Sequence, residues 1–180
     1  MDKTFVFYCI LFILIAEFIL ATVMNYLNAK RFKDPILEDL NDVYNAEEYE
    51  KSQAYKLTNY KFGVFTSIFS LVLILAFLFF GGFTWVDNVA QNISQNIILQ
   101  ALVFFGIIMI GSDIRNIPFS YYQTFVIEEK FGFNKTTKAT FLIDKLKQWA
   151  MTIIFGGAIL SLVIWFFEWA GTNFWVYTWA

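Results

Sequence analysis

The chain has no histidine among its 180 residues and a single cysteine, Cys9. The first absence excludes the usual catalytic zinc centre. Such a centre needs three protein ligands, and the H-E-x-x-H arrangement works because two histidines at i and i+4 share a helix face while the glutamate serves as base. With no histidine and one cysteine inside an apolar run, that chemistry cannot be built from this chain. Cys9 has no partner for an intramolecular disulfide and reads as a small buried apolar residue. No G-x-S-x-G, P-loop or dinucleotide-binding glycine fingerprint is present. Charge is scarce too: 13 basic residues against 15 acidic give a net charge of -2, and the basic ones are confined almost entirely to two loops. Nothing here offers a nucleic-acid groove.

What is present is apolar. Hydrophobic residues make up 58% of the chain and aromatics 21%, and the mean hydropathy is +0.56. These values exceed what a soluble core requires and identify a membrane protein whose partner is the lipid bilayer. Four crossing helices are predicted, near residues 5–24, 64–83, 93–113 and 149–168. A cleaved signal peptide fits the first span poorly, because Lys3 is balanced by Asp2 and no A-x-A site follows Leu20. Glu17 is the ionisable group well inside that span, where such groups usually face a bundle interior or a cavity. The second span is uncharged and closes at Gly81-Gly82, after which residues 84–96 read as a short connection carrying Trp85. The third has only fifteen strongly apolar residues, 97–111, so it must extend one way or the other, and Gln100 is expected to be buried among helices. Asp113 and Arg115 at its far end either neutralise each other or open on an aqueous cleft. Pro118 lacks an N–H and disfavours helix at Ile117, so a kink or stop is expected there. Gly156-Gly157 in the fourth span would allow close helix approach, and Trp165 and Trp169 mark its exit.

The loops are helical in pattern. Asp34-Pro35 suits the start of a short helix with Ile36, Leu37, Leu40 and Val43 on one face, and a second helix is expected from Asn45, with Glu48 in capping-box position and Glu47 paired with Lys51. Tyr44, Tyr49, Tyr55 and Tyr60 suit a membrane–water boundary. In the third loop Phe141, Leu142, Leu146, Trp149, Ala150 and Ile153 form an apolar stripe opposed by Lys138, Asp144, Lys145 and Lys147, the pattern of a helix lying along the surface before it enters the membrane. The first and third loops carry six basic residues each and the second none, which predicts those two loops in the cytoplasm and the N-terminus outside. Residues 172–180 begin a fresh apolar run too short to cross, the start of a fifth helix. The predicted fold is thus all-α and polytopic, with four transmembrane helices, the start of a fifth, and amphipathic cytoplasmic helices in loops one and three.

One stretch stands apart from hydropathy. Residues 117–134, IPFSYYQTFVIEEKFGFN, hold a proline, five aromatics up to Phe131, and Glu128-Glu129-Lys130 immediately before Phe131-Gly132-Phe133-Asn134. This reads as a structured turn, with Gly132 free to take φ > 0 and Asn134 or Thr137 capping the helix that begins near Lys138. Its rings are too many to leave in water, and they are expected to pack on the first loop around Leu40 and Tyr55. Glu128 and Glu129 are adjacent and point apart, so they read as a structural turn and not as a catalytic pair.

At these residues the chain resembles the type I CAAX prenyl proteases, integral-membrane zinc metallopeptidases, and it is identified as a bacterial-type relative of their N-terminal membrane region. The matching words are Pro118-Phe119-Ser120, the run from Thr124 through Phe125 to Glu128-Glu129-Lys130, and Gly132-Phe133-Asn134; upstream they are Tyr26-Leu27-Asn28, then Tyr49, Ser52 and Tyr55 in YEKSQAY, and Lys61-Phe62-Gly63. The resemblance implies a single membrane domain over residues 1–180 that walls a chamber, with the HExxH helix and third zinc ligand in a C-terminal catalytic part beyond it. It also implies a bacterial inner membrane and prenylated or membrane protein substrates. On this reading the chain is a fragment, a deliberate truncation or the product of an interrupted gene. It has no catalytic, cofactor or metal residues of its own, zinc belongs only to a full-length relative, and the chain alone is inactive. A non-enzymatic membrane scaffold or small transport component is the alternative.

Overall fold

The computed structural model describes residues 2–35 and 45–179, and every regular element among them is helical. The helices are α1 (Lys3–Lys30), α2 (Ala46–Phe79), α3 (Gly82–Ile93), α4 (Ile97–Tyr122), α5 (Glu129–Phe131), α6 (Lys138–Met151), α7 (Gly157–Ala170) and α8 (Phe174–Trp179). Four continuous stretches are long and apolar enough to cross a membrane: Thr4–Lys30, Ala46–Phe79, Ile97–Phe131 and Lys138–Tyr177. The expected helix carrying Ile36, Leu37, Leu40 and Val43, with Tyr44, lies outside the described residues.

The spans are longer than hydropathy alone predicts. α2 has 34 residues, about 51 Å at 1.5 Å per residue, against a hydrocarbon core of about 30 Å. Asn45 starts it as expected, its Oδ1 accepting from the Glu47 N–H at 3.0 Å. The helix expected in the first loop and the second membrane helix are therefore one rod. Nothing between Ala46 and Phe79 breaks the ladder, and extending a helix already nucleated in the membrane avoids a second nucleation cost. The third loop repeats the arrangement, since α6 passes through a π-helical turn, Thr152–Gly156, directly into α7. The helix predicted in the third loop is there, continuous with the fourth span.

Two expectations are corrected. Residues 84–96 are no simple connection: Gly81 takes φ 72° and turns the chain into α3, an amphipathic helix whose Val86 and Ala90 are wholly buried. Of the kink or stop expected at Pro118, the stop is not found: α4 runs on to Tyr122 and continues through a π-helical turn, Gln123–Glu128. A stop at Ile117 would leave four carbonyls unsatisfied near membrane depth, whereas one proline forfeits a single bond. The Ser120 hydroxyl donates to the Asn116 carbonyl at 2.7 Å.

The chain divides into two compact units, Met1–Ala76 with Gln123–Asn134, and Phe77–Tyr122 with Lys135–Ala180. In the first, Ala29, Ile127 and Phe131 are the buried apolar residues among those described. In the second, α3 packs on α4 through Val86 and Ala90, and a Cβ placed on Gly157 of α7 would lie 3.9 Å from Leu102 Cδ2 of α4, the close approach expected of that glycine. α4 is capped by Asn96, whose Oδ1 accepts from the Leu99 N–H at 3.1 Å, and Gln100 is half-buried with its amide donating to the Ser94 carbonyl at 2.9 Å. Elsewhere large apolar side chains point outward: Phe12 is 72% exposed and Leu162 64%. Rings and branched chains so displayed on helices of this length fit a lipid solvent.

Candidate functional site

The C-terminal end of the third span supplies the most constrained feature in the first unit. Gly132, at φ 75°, sits just past α5 in the left-handed region. Its N–H donates to the Glu129 carbonyl at 3.0 Å and the Phe133 N–H to the Glu128 carbonyl at 2.9 Å. These two bonds form a Schellman cap, and only glycine takes that backbone geometry without a Cβ penalty. Asn134 then folds back, its Nδ2 donating to Glu129 Oε2 at 2.8 Å. The two aromatics on either side of Gly132 meet α2: the Tyr55 ring lies edge-on to Phe131, with centroids 5.3 Å apart, and to Phe133, with centroids 4.9 Å apart. Such pairs contribute roughly 0.5–1.5 kcal/mol each beyond their burial. The Lys51 ammonium stands 5.6 Å from the Phe133 centroid, and Gln123 Nε2 donates to Asn59 Oδ1 at 2.7 Å. Lys51 is thus committed to a ring; the expected Glu47–Lys51 pair is not among the ion pairs of the described residues.

A cavity of about 420 Å³ opens in the same unit between α1 and α2. Phe18 and Ile68 line it toward the apolar ends of the two facing stretches, while Asn25, Asn28, Lys56 and Asn59 line it toward the polar ends. In the second unit Asp113 joins α4 to α6, accepting from Lys145 Nζ at 3.1 Å and from the indole N–H of Trp149. Both side chains of that ion pair are about four-fifths buried, at 18% and 20% exposure. Arg115 instead donates to Asn116 Oδ1 at 2.9 Å, so the two charges flanking Ile114 do not neutralise each other. A cavity of about 380 Å³ beside Asp113 is lined by Asn116, Gln148 and Trp149 among others.

The residues singled out from sequence fall into three groups. Tyr55, Lys130, Phe131, Gly132, Phe133 and Asn134 belong to the cap and its packing, with Lys130 Nζ 5.5 Å from the Phe131 centroid. Phe125 and Glu128 are half-buried on the turn that leads to it, while Glu129 is exposed and bound to Asn134. Tyr49 and Ser52 stand on the same polar half of α2, where the Tyr49 hydroxyl donates to the Asp34 carbonyl at 3.1 Å. Pro118, exposed, and Phe119, half-buried, belong to α4 in the other unit. Glu17 is exposed on α1. Of the two proposed helix caps, Thr137 serves, accepting from the Thr140 N–H at 3.1 Å. Sequence reasoning missed the Gln123–Asn59 link and the Asp113 cluster. The second had a signal, because Lys145 and Trp149 at i and i+4 share one helix face.

No three His, Cys, Asp or Glu side chains converge as metal ligands among the described residues, and with no histidine in the chain the donor set does not fit a catalytic zinc. Residues 25–180 match the family model described as the CAAX prenyl protease N-terminal region with five membrane helices. The chain is 31% identical over 163 residues to the CAAX prenyl protease 1 homolog of Dictyostelium discoideum, covering 87% of this chain and 38% of that protein. It is 32% identical over 180 residues to the homolog of Oryza sativa, covering 95% of this chain and 42% of the relative. The crystal structure of S. mikatae Ste24p superposes with a TM-score of 0.83 at 31% identity over 91% of this chain and 40% of that one. The chain therefore spans about two fifths of the length of these relatives. They are eukaryotic, so the bacterial-type qualifier, and with it the bacterial inner membrane, is not borne out. A family-model match over residues 25–180, together with a shared fold at 31% identity over 91% of the chain, places this multi-pass membrane chain in the CAAX prenyl protease family as its N-terminal membrane region.

Proposed function

We propose that residues 1–180 act as one N-terminal membrane domain that walls a chamber and positions a zinc site carried by a C-terminal catalytic part, for endoproteolysis of prenylated or membrane proteins. The observation that supports this best is the joining of the two signature stretches at Tyr55, which brings the polar half of α2 onto the capped turn at Gly132. Loops one and three, six basic residues each, then share a side, and the positive-inside rule makes that side cytoplasmic. A catalytic part approaching from there meets a preformed surface. The signature residues Tyr49, Ser52, Tyr55, Pro118, Phe119, Phe125, Glu128, Glu129, Lys130, Gly132, Phe133 and Asn134 serve structure in this reading, holding that surface in place. The scaffold or transport alternative is not favoured by the family match.

Co-expression with the C-terminal part of one of the relatives tests the reading. The two pieces are expected to co-purify and to cleave a farnesylated CAAX peptide, with activity lost to a chelator and restored by zinc, while neither piece cleaves alone. Cleavage by this chain alone, or failure of the pair to associate, would overturn it.

A further inference from the structure

We infer that the cavity between α1 and α2 is a binding site for an anionic glycerophospholipid, a role independent of catalysis. The residues lining it come at helical spacing from one face of each helix: Phe18, Asn25 and Asn28 from α1, and Lys56, Asn59, Gly63 and Ile68 from α2. The cavity runs from an apolar end at Phe18 and Ile68 to a donor-rich end at Asn28 and Lys56, matching a chain with a polar head. The polar end is one-sided in charge. It contains Lys56 and no carboxylate, and among the described residues no side-chain bond engages Lys56, Asn25 or Asn28. Asn59 spends its Oδ1 on Gln123, which leaves its amide hydrogens for another acceptor. One cation and three amide groups without an acid form the donor set for a phosphate and carboxylate headgroup, and basic pockets between membrane helices take such headgroups. Gly63 keeps the middle open, since a Cβ there would have nothing within 4 Å. The signature words Tyr26-Leu27-Asn28 and Lys61-Phe62-Gly63 both reach this cavity, through Asn28 and Gly63.

Native mass spectrometry of the chain, released from phosphatidylcholine nanodiscs doped with phosphatidylserine, tests this. The wild type is expected to retain phosphatidylserine in preference to phosphatidylcholine. Gly63→Leu is expected to lose the retained lipid by filling the cavity without a backbone clash, with helicity unchanged by circular dichroism. Lys56→Gln, on an exposed side chain, is expected to reduce the preference about tenfold, the effect of losing one charge-assisted hydrogen bond. That variant decides the matter should Gly63→Leu not fold. Equal retention of the two lipids by the wild type, or an unchanged preference in Lys56→Gln, would overturn the inference. So would displacement of phosphatidylserine by an equal concentration of farnesylated peptide, which would make the occupant a prenylated segment.

Discussion

Gly132 is where a single side chain decides most. At φ 75° a β-branched residue is strained whatever space surrounds it, so Gly132→Val is expected to break both cap bonds and release Phe131 and Phe133 from Tyr55. Hydrogen exchange in detergent should show amides of residues 125–134 exchanging much faster than in the parent, and the melting transition should fall by the equivalent of about 2 kcal/mol. Lys138→Ala, at an exposed position on the first turn of α6, should change stability by less than about 0.5 kcal/mol. Asp113 is the second such residue. Asp113→Ala removes the acceptor for both Lys145 and Trp149 and leaves a largely buried ammonium, for an expected cost of about 2 kcal/mol. A double-mutant cycle with Trp149→Phe should give a coupling of about 1 kcal/mol; additive losses would mean that the two groups do not share one bond network.

Among the elements, helix starts follow local chemistry closely: Asp2, Asn45, Asn96 and Thr137 each accept a backbone N–H with a side-chain oxygen. Thr137→Ala is therefore expected to cost about 1 kcal/mol and to fray the first turn of α6, measurable as lost protection at Thr140. Helix ends and lengths were less legible. A hydropathy window stops where polar residues begin, at Asn25 and Lys61, yet α1 runs to Lys30 and α2 starts at Ala46. Polar residues do not end a helix; they change its solvent. α3 looks like a connection in sequence because Thr84, Asp87, Asn88 and Gln91 hide the two small apolar residues, Val86 and Ala90, that bury its inner face.

For the whole molecule, the unequal distribution of basic residues carries the orientation. A cysteine at Lys56 or at Lys138 is expected to resist an impermeant thiol reagent on intact cells and to label once the membrane is opened. Labelling from outside would reverse the proposed topology. The purified chain is expected to carry no stoichiometric zinc after mild chelation and to hydrolyse no peptide, read by metal analysis and a fluorogenic assay, because the chain has no histidine to hold the ion.

Much of this protein was determined by composition and order alone. Unbroken apolar runs as long as a bilayer call for helices, because lipid forces the backbone to bond within the segment and a barrel strand would alternate apolar and polar residues, and the absence of histidine removes the commonest zinc-ligand type from this chain. The signature words around Gly132 pointed to the family, and the glycine between two aromatics to a left-handed turn. Tertiary structure decided what those words touch. The packing of the rings on Tyr55 was expected, but Asn59 with Gln123, and Asp113 with Lys145 and Trp149, are pairs from distant stretches that no local pattern names. Helical periodicity says which residues share a face, but it says nothing about which other face that one meets. That choice belongs to packing, where shape and hydrogen-bond complementarity between whole helices select the partners.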